Sequence, residues 1–112
     1  MTDFKQLDAV KIPELEIAKF CQRWKVRQFY LFGSVLRDDF TAESDIDVMV
    51  EFFPNASIGW KIVTMNDELE TIFHRPVDLM TKKAIEESDN WLRRRNILDS
   101  VVLIYEQKEQ RS

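Results

Sequence analysis

The 112-residue sequence has one cysteine and one histidine, and each absence around them closes a class of function. With Cys21 alone, no intramolecular disulfide can form, and a reducing cytoplasm is the expected setting. Its helix-spaced apolar neighbours mark Cys21 as a core residue. His74 has no second histidine or nearby cysteine with which to build a zinc site, and a Ser-His-Asp type triad is not expected. No apolar run approaches the roughly 18 residues of a membrane span, and no charged-then-apolar leader opens the chain. Positive charge is also short: 16 Lys and Arg stand against 20 Asp and Glu, a net −4 at pH 7. A general nucleic-acid binder needs a basic surface to displace counterions, so direct nucleic-acid binding is not expected. A nucleotide or a basic partner suits the chain better. There is no internal repeat and no low-complexity segment.

What is present fits one domain over residues 1–112, with an ordered core over about 10–106 and frayed ends. The apolar fraction, 45%, is enough for a single core. Pro13 suits a helix start, and Ile17, Phe20, Cys21 and Trp24 form one apolar stripe, so residues 13–25 read as a helix. Residues 26–32 read as a first strand and 45–53 as a second, with a short helix over 35–38 between them. After a turn at 54–57, with Ser57 as a candidate cap, Ile62, Met65, Leu69, Ile72 and Phe73 mark a second long helix ending near His74. Residues 76–81 form a short strand. A third helical region over 82–100, broken near Asn90, carries Ala84, Ile85, Trp91, Leu92, Ile97 and Leu98, and a last strand follows at 101–105. The order predicts an α/β (α+β) domain, a mixed sheet of about four strands with helices packed against it.

Residues 29–53 concentrate the chemistry. An apolar run ends at Gly33-Ser34, ten residues follow, and a second apolar run opens with Asp45-Ile46-Asp47. Strand alternation sends Asp45 and Asp47 to one face with Cα atoms roughly 6 to 7 Å apart. Two carboxylates so placed can share a hard divalent cation such as magnesium, although a solvated strand edge would show the same pattern. Gly33 allows close approach of backbone or ligand, and Ser34 can open a short helix whose free N–H groups receive a phosphate; an ordinary capped turn is the alternative. Asp78 interrupts Val77, Leu79 and Met80. If its strand lies beside the one bearing Asp45 and Asp47, three carboxylates converge; otherwise Asp78 is a strand end in water. Arg37 could contact a triphosphate or pair with Asp38, Asp39 or Glu43.

Gly33-Ser34, ten residues and then Asp45-Ile46-Asp47 resembles the signature of the DNA polymerase β-type nucleotidyltransferase superfamily. In size the chain resembles the minimal nucleotidyltransferases, single-domain proteins often encoded beside a helical HEPN partner, some of which are antitoxins. The similarity covers about residues 20–105. It implies a nucleotidyltransferase fold and two magnesium ions held by Asp45, Asp47 and Asp78, with Asp78 also assisting deprotonation of an acceptor hydroxyl. Gly33, Ser34 and Arg37 would bind the nucleotide. The implied reaction moves AMP from ATP to a hydroxyl, with a tyrosine of a HEPN toxin as acceptor, which silences the toxin. The competing readings are an antitoxin that neutralises its partner by binding alone and, less compatible with so short a chain, an enzyme modifying a small molecule. Arg93, Arg94 and Arg95 cannot all face one way on a helix, so at most two serve a site; a solvated face, a phosphate contact and a docking patch all remain open. Phe52, Phe53 and Trp60 read as core, with adenine stacking as the other use. Base preference and self-association stay open.

Overall fold

The computed structural model describes residues 12–33, 45–54 and 56–107. Four strands form one sheet: β1 (Val26–Phe32), β2 (Ile46–Phe52), β3 (Val77–Thr81) and β4 (Val102–Glu106), in the order β3-β2-β1-β4. β1 pairs antiparallel with both β2 and β4, whereas β2 and β3 run parallel. Parallel neighbours need a crossover, and the helix between them supplies it. The helices are α1 (Glu14–Trp24), α2 (Ile62–Phe73), α3 (Lys82–Glu86) and α4 (Trp91–Ser100), with a 3-10 turn at Gly59–Lys61. The predicted mixed four-stranded α/β architecture is therefore the observed one. The short helix expected over 35–38 lies outside the described residues.

The sheet has two apolar faces because its strands alternate. Phe29, Leu31, Ile46, Val48, Val50 and Val77 point to one side, where Ile17, Phe20 and Cys21 of α1 and Met65 and Leu69 of α2 cover them. Burial pushes the Cys21 thiol up to about 12, so it stays a neutral core group, as its neighbours predict. The opposite face carries a smaller cluster in which Phe32 and Met49 meet Ile85 of α3 and Ile97 of α4. Glu68 ties the helices of the first face together, accepting from Arg23 Nη1 at 2.6 Å and from Trp24 Nε1 at 3.0 Å.

Local details correct several expectations. Ser57 is not a helix cap: the chain enters α2 through the 3-10 turn, and no side chain caps either start. The predicted break near Asn90 is real, and its physical cause is a cap, since Asn90 Oδ1 accepts from Arg93 N at 3.0 Å. His74 ends α2 in the left-handed region at φ 59, its N–H bonded to Glu70 O. Gln107 is part of the fold rather than a frayed end: its Nε2 donates to Cys21 O at 3.1 Å and to Val26 O at 2.6 Å. Trp60 is neither core nor stacked in a cleft, being 79% exposed, whereas Phe53 is buried as expected. Trp91 and Leu92, predicted on the apolar face of the last helix, are also exposed. Among the described residues no helix is long and apolar enough to cross a membrane.

Candidate active site

The parallel pairing of β2 and β3 sets Asp47 directly opposite Asp78, and the antiparallel pairing of β1 and β2 sets Phe32 opposite Asp47. Adjacent strands lie about 5 Å apart, so the two carboxylates leave the sheet side by side. Both share the face of the smaller apolar cluster, because they alternate with Ile46, Val48, Val77 and Leu79, which face α1 and α2. Asp47, Asp78 and Gly33 line one cleft of about 670 Å³, whose far wall is α4 through Arg93 and Asn96. Phe32 and Ile97 form its apolar floor.

Gly33 has φ +75, and a Cβ added there would collide with the Asp47 carboxylate, whose Cγ would lie 3.1 Å away. The close approach expected at this glycine is thus made first by the chain's own catalytic candidate. Ser34 and Arg37, the other expected nucleotide contacts, lie outside the described residues.

Register brings two of the three expected carboxylates, Asp47 and Asp78, side by side. Asp45 is exposed, one residue before β2, and is not among the described residues lining the cleft. Strand alternation puts it on the same face as Asp47, with Cα atoms roughly 6 to 7 Å apart. Among the described residues no three His, Cys, Asp or Glu side chains stand close enough to cage a cation. Burial does not strain the carboxylates either: Asp78 is exposed, Asp47 is half-buried, and no charged side chain among the described residues is buried. Asp78 is solvated because alternation turns it away from the core that receives Val77 and Leu79.

This donor set still fits magnesium. That ion seldom occupies an all-protein cage and is commonly held by one or two carboxylates together with substrate phosphates. Two hard oxygen donors side by side, opening into a cleft large enough for a nucleotide's phosphates, meet that requirement.

Two residues outside the sequence-based set hold Asp78 in place. β3 is an edge strand, and its outward N–H groups would otherwise lack partners. Asn66 Oδ1 accepts from Leu79 N at 3.1 Å, and Glu70 Oε2 accepts from Val77 N at 3.1 Å. These bonds bracket Asp78. A part-buried donor left unmade costs about 1–3 kcal/mol, so Asn66→Ala is expected to lower stability in urea by about 1–2 kcal/mol. It should also weaken any magnesium binding, measured calorimetrically, by loosening the strand that carries Asp78.

Known proteins resemble this chain in sequence and in fold. A protein of Methanocaldococcus jannaschii, the inferred protein adenylyltransferase MJ1379, is 44% identical over 64 residues, 56% of this chain and 64% of that protein. The matched segment therefore spans less than two thirds of that relative. A crystal structure of a toxin-antitoxin with AMP-PNP superposes with a TM-score of 0.64 at 19% identity, covering 87% of this chain and 76% of the other. A tri-AMPylated Shewanella oneidensis HEPN toxin in complex with MNT antitoxin gives a TM-score of 0.56 at 20% identity, covering 84% and 70%. At these identities the likeness is one of fold. The nucleotidyltransferase domain family matches over residues 16–104, from α1 into β4. On that match the chain belongs to the nucleotidyltransferase domain family.

Proposed function

We propose that the protein is a magnesium-dependent protein adenylyltransferase that moves AMP from ATP to a hydroxyl, a tyrosine of a HEPN-type toxin, and so acts as an antitoxin. The observation that carries this is the register pairing of Asp47 with Asp78 beside Gly33 in one cleft. The acceptor oxygen bonds to the α-phosphorus, the bond from that phosphorus to the bridging oxygen breaks, and pyrophosphate leaves with that oxygen. When bound, magnesium lowers the pKa of the attacking hydroxyl and offsets charge on the phosphates. Asp47 and Asp45 would hold the ion accompanying the nucleotide, and Asp78 would hold a second and take up the hydroxyl proton. Gly33 keeps the entry to the cleft open, and Ser34 and Arg37 complete the nucleotide contacts. The names of the relatives support the chemistry: MJ1379 is an inferred protein adenylyltransferase, and one structural neighbour is a complex containing an AMPylated HEPN toxin.

The acceptor is read as a protein because two large apolar side chains of α4 stand exposed, one of them lining the cleft. Leu92 lines the cleft and is 53% exposed, with Trp91 beside it 60% exposed. A partner chain covering these side chains would bury them and present its hydroxyl. On this reading the chain is one nucleotidyltransferase domain working in the cytoplasm, where ATP is made and Cys21 stays reduced.

A second reading, neutralisation by binding alone, gains from one observation: Asp45 and Asp78 are exposed and Asp47 only half-buried, so they cost a binding module little. Incubation with α-labelled ATP, magnesium and a co-expressed HEPN toxin separates the two. The expected result is a labelled toxin with AMP on tyrosine, and Asp78→Asn should cut labelling by orders of magnitude while ATP affinity changes little. A neutralised but unmodified toxin, with Asp78→Asn protecting cells as well as wild type, would establish sequestration instead.

A further inference from the structure

The three consecutive arginines of α4 are sorted by their contacts. Arg94 Nη1 donates to Glu86 O at 3.2 Å and to Ser88 O at 3.1 Å, closing the link between α3 and α4. Arg95 Nε faces Asp99 Oδ2 at 3.6 Å, an exposed pair one helical turn apart. Arg93 differs. Its backbone N–H is used by the Asn90 cap, but among the described residues its guanidinium has no hydrogen bond or ion pair, and it lines the cleft of Asp47 and Asp78. It is the one cation among the described residues that line that cleft.

We propose that Arg93 is a nucleotide-binding residue, donating to a phosphate oxygen of the bound triphosphate from the wall opposite the two carboxylates. This rests on the nucleotidyltransferase reading above. A triphosphate set beside Asp47 and Asp78 adds charge of their own sign, and divalent cations offset only part of it. A guanidinium on the far wall opposes the remainder, and its planar fork suits phosphate oxygens. The helix presents it in a set direction, because Ile97, four residues on, is buried against Phe32, Met49 and Ile85. Arg93, Asn96 and Ser100 recur at helical spacing along the same wall. The Ser100 hydroxyl is committed to Asn96 O at 2.9 Å, which leaves Arg93 as the strong donor of that stripe.

Calorimetry on the full chain with magnesium in excess tests the assignment, using ATP and inorganic tripolyphosphate as separate probes. Arg93→Ala should weaken both by about tenfold or more, Arg93→Lys should restore part of the loss, and Arg95→Ala should bind as wild type does. Equal affinity of Arg93→Ala and wild type for both probes would overturn the proposal. So would a wild type that binds no tripolyphosphate, or a variant whose only defect is a raised KM for the acceptor protein. If wild type binds both probes, Arg93→Ala loses them and no acceptor is ever labelled, the transferase reading fails and the role of Arg93 stands.

Discussion

Asp45→Asn combined with Asp47→Asn is expected to abolish AMP transfer, a loss of at least about a thousandfold, while leaving the fold intact. Asp47 carries most of that effect, since it stands opposite Asp78 in the cleft whereas Asp45 lies outside the described lining. Magnesium should raise the Tm of wild type, by binding the folded state, and leave the double variant unmoved. Thermal melts with and without magnesium read all four values. Retained transfer in the double variant, or an equal magnesium shift in both proteins, would remove these carboxylates from the mechanism.

Gly33→Val is expected to be as severe, and for a reason that begins inside the protein. A side chain on a phosphate-type turn ordinarily obstructs the nucleotide and spares the metal. Here the added Cβ meets the Asp47 carboxylate first, at a position whose φ of +75 already disfavours any L side chain. To accommodate valine, Asp47 must swing away from Asp78 or the turn must rebuild. Magnesium and ATP binding should therefore fall together, with transfer reduced by at least about a hundredfold, and stability should drop by roughly 1–3 kcal/mol. Calorimetric titration of magnesium alone is the deciding measurement. Full metal affinity with lost ATP affinity would mean that the glycine serves only the ligand.

The strands and the long helices were legible because their signals are local. Alternation fixed β1 at residues 26–32 as found, and the stripe of Ile17, Phe20, Cys21 and Trp24 gave α1 to within a residue at either end. Asn90 was readable as a break because a short side chain there can compete for the backbone of the next turn. The site was legible as residue types in order, yet its assembly was not. Whether Asp47 meets Asp78 depends on the parallel register of two strands 30 residues apart, about which periodicity is silent. Alternation within 77–81 did hold the answer to the exposure of Asp78, since it must face away from Val77 and Leu79. Asn66 and Glu70 read only as polar positions off the apolar stripe of α2. That they reach over the edge of β3 follows from which strand sits at that edge. The Arg93–Arg95 run shows the same limit, because identical neighbours acquire different work only when α4 is set against the sheet.

β1 is hydrogen-bonded to β2 on one side and to a strand from the far end of the sequence on the other. During synthesis β1 therefore gains its second neighbour only after β2, β3 and α2 to α4 have been made. Until Val102–Glu106 emerges, one side of an apolar central strand has no ladder, which is the template that promotes intermolecular pairing. Truncation just before Val102 would thus harm solubility before it harms catalysis, although Gly33, Asp47, Asp78 and Arg93 are all retained.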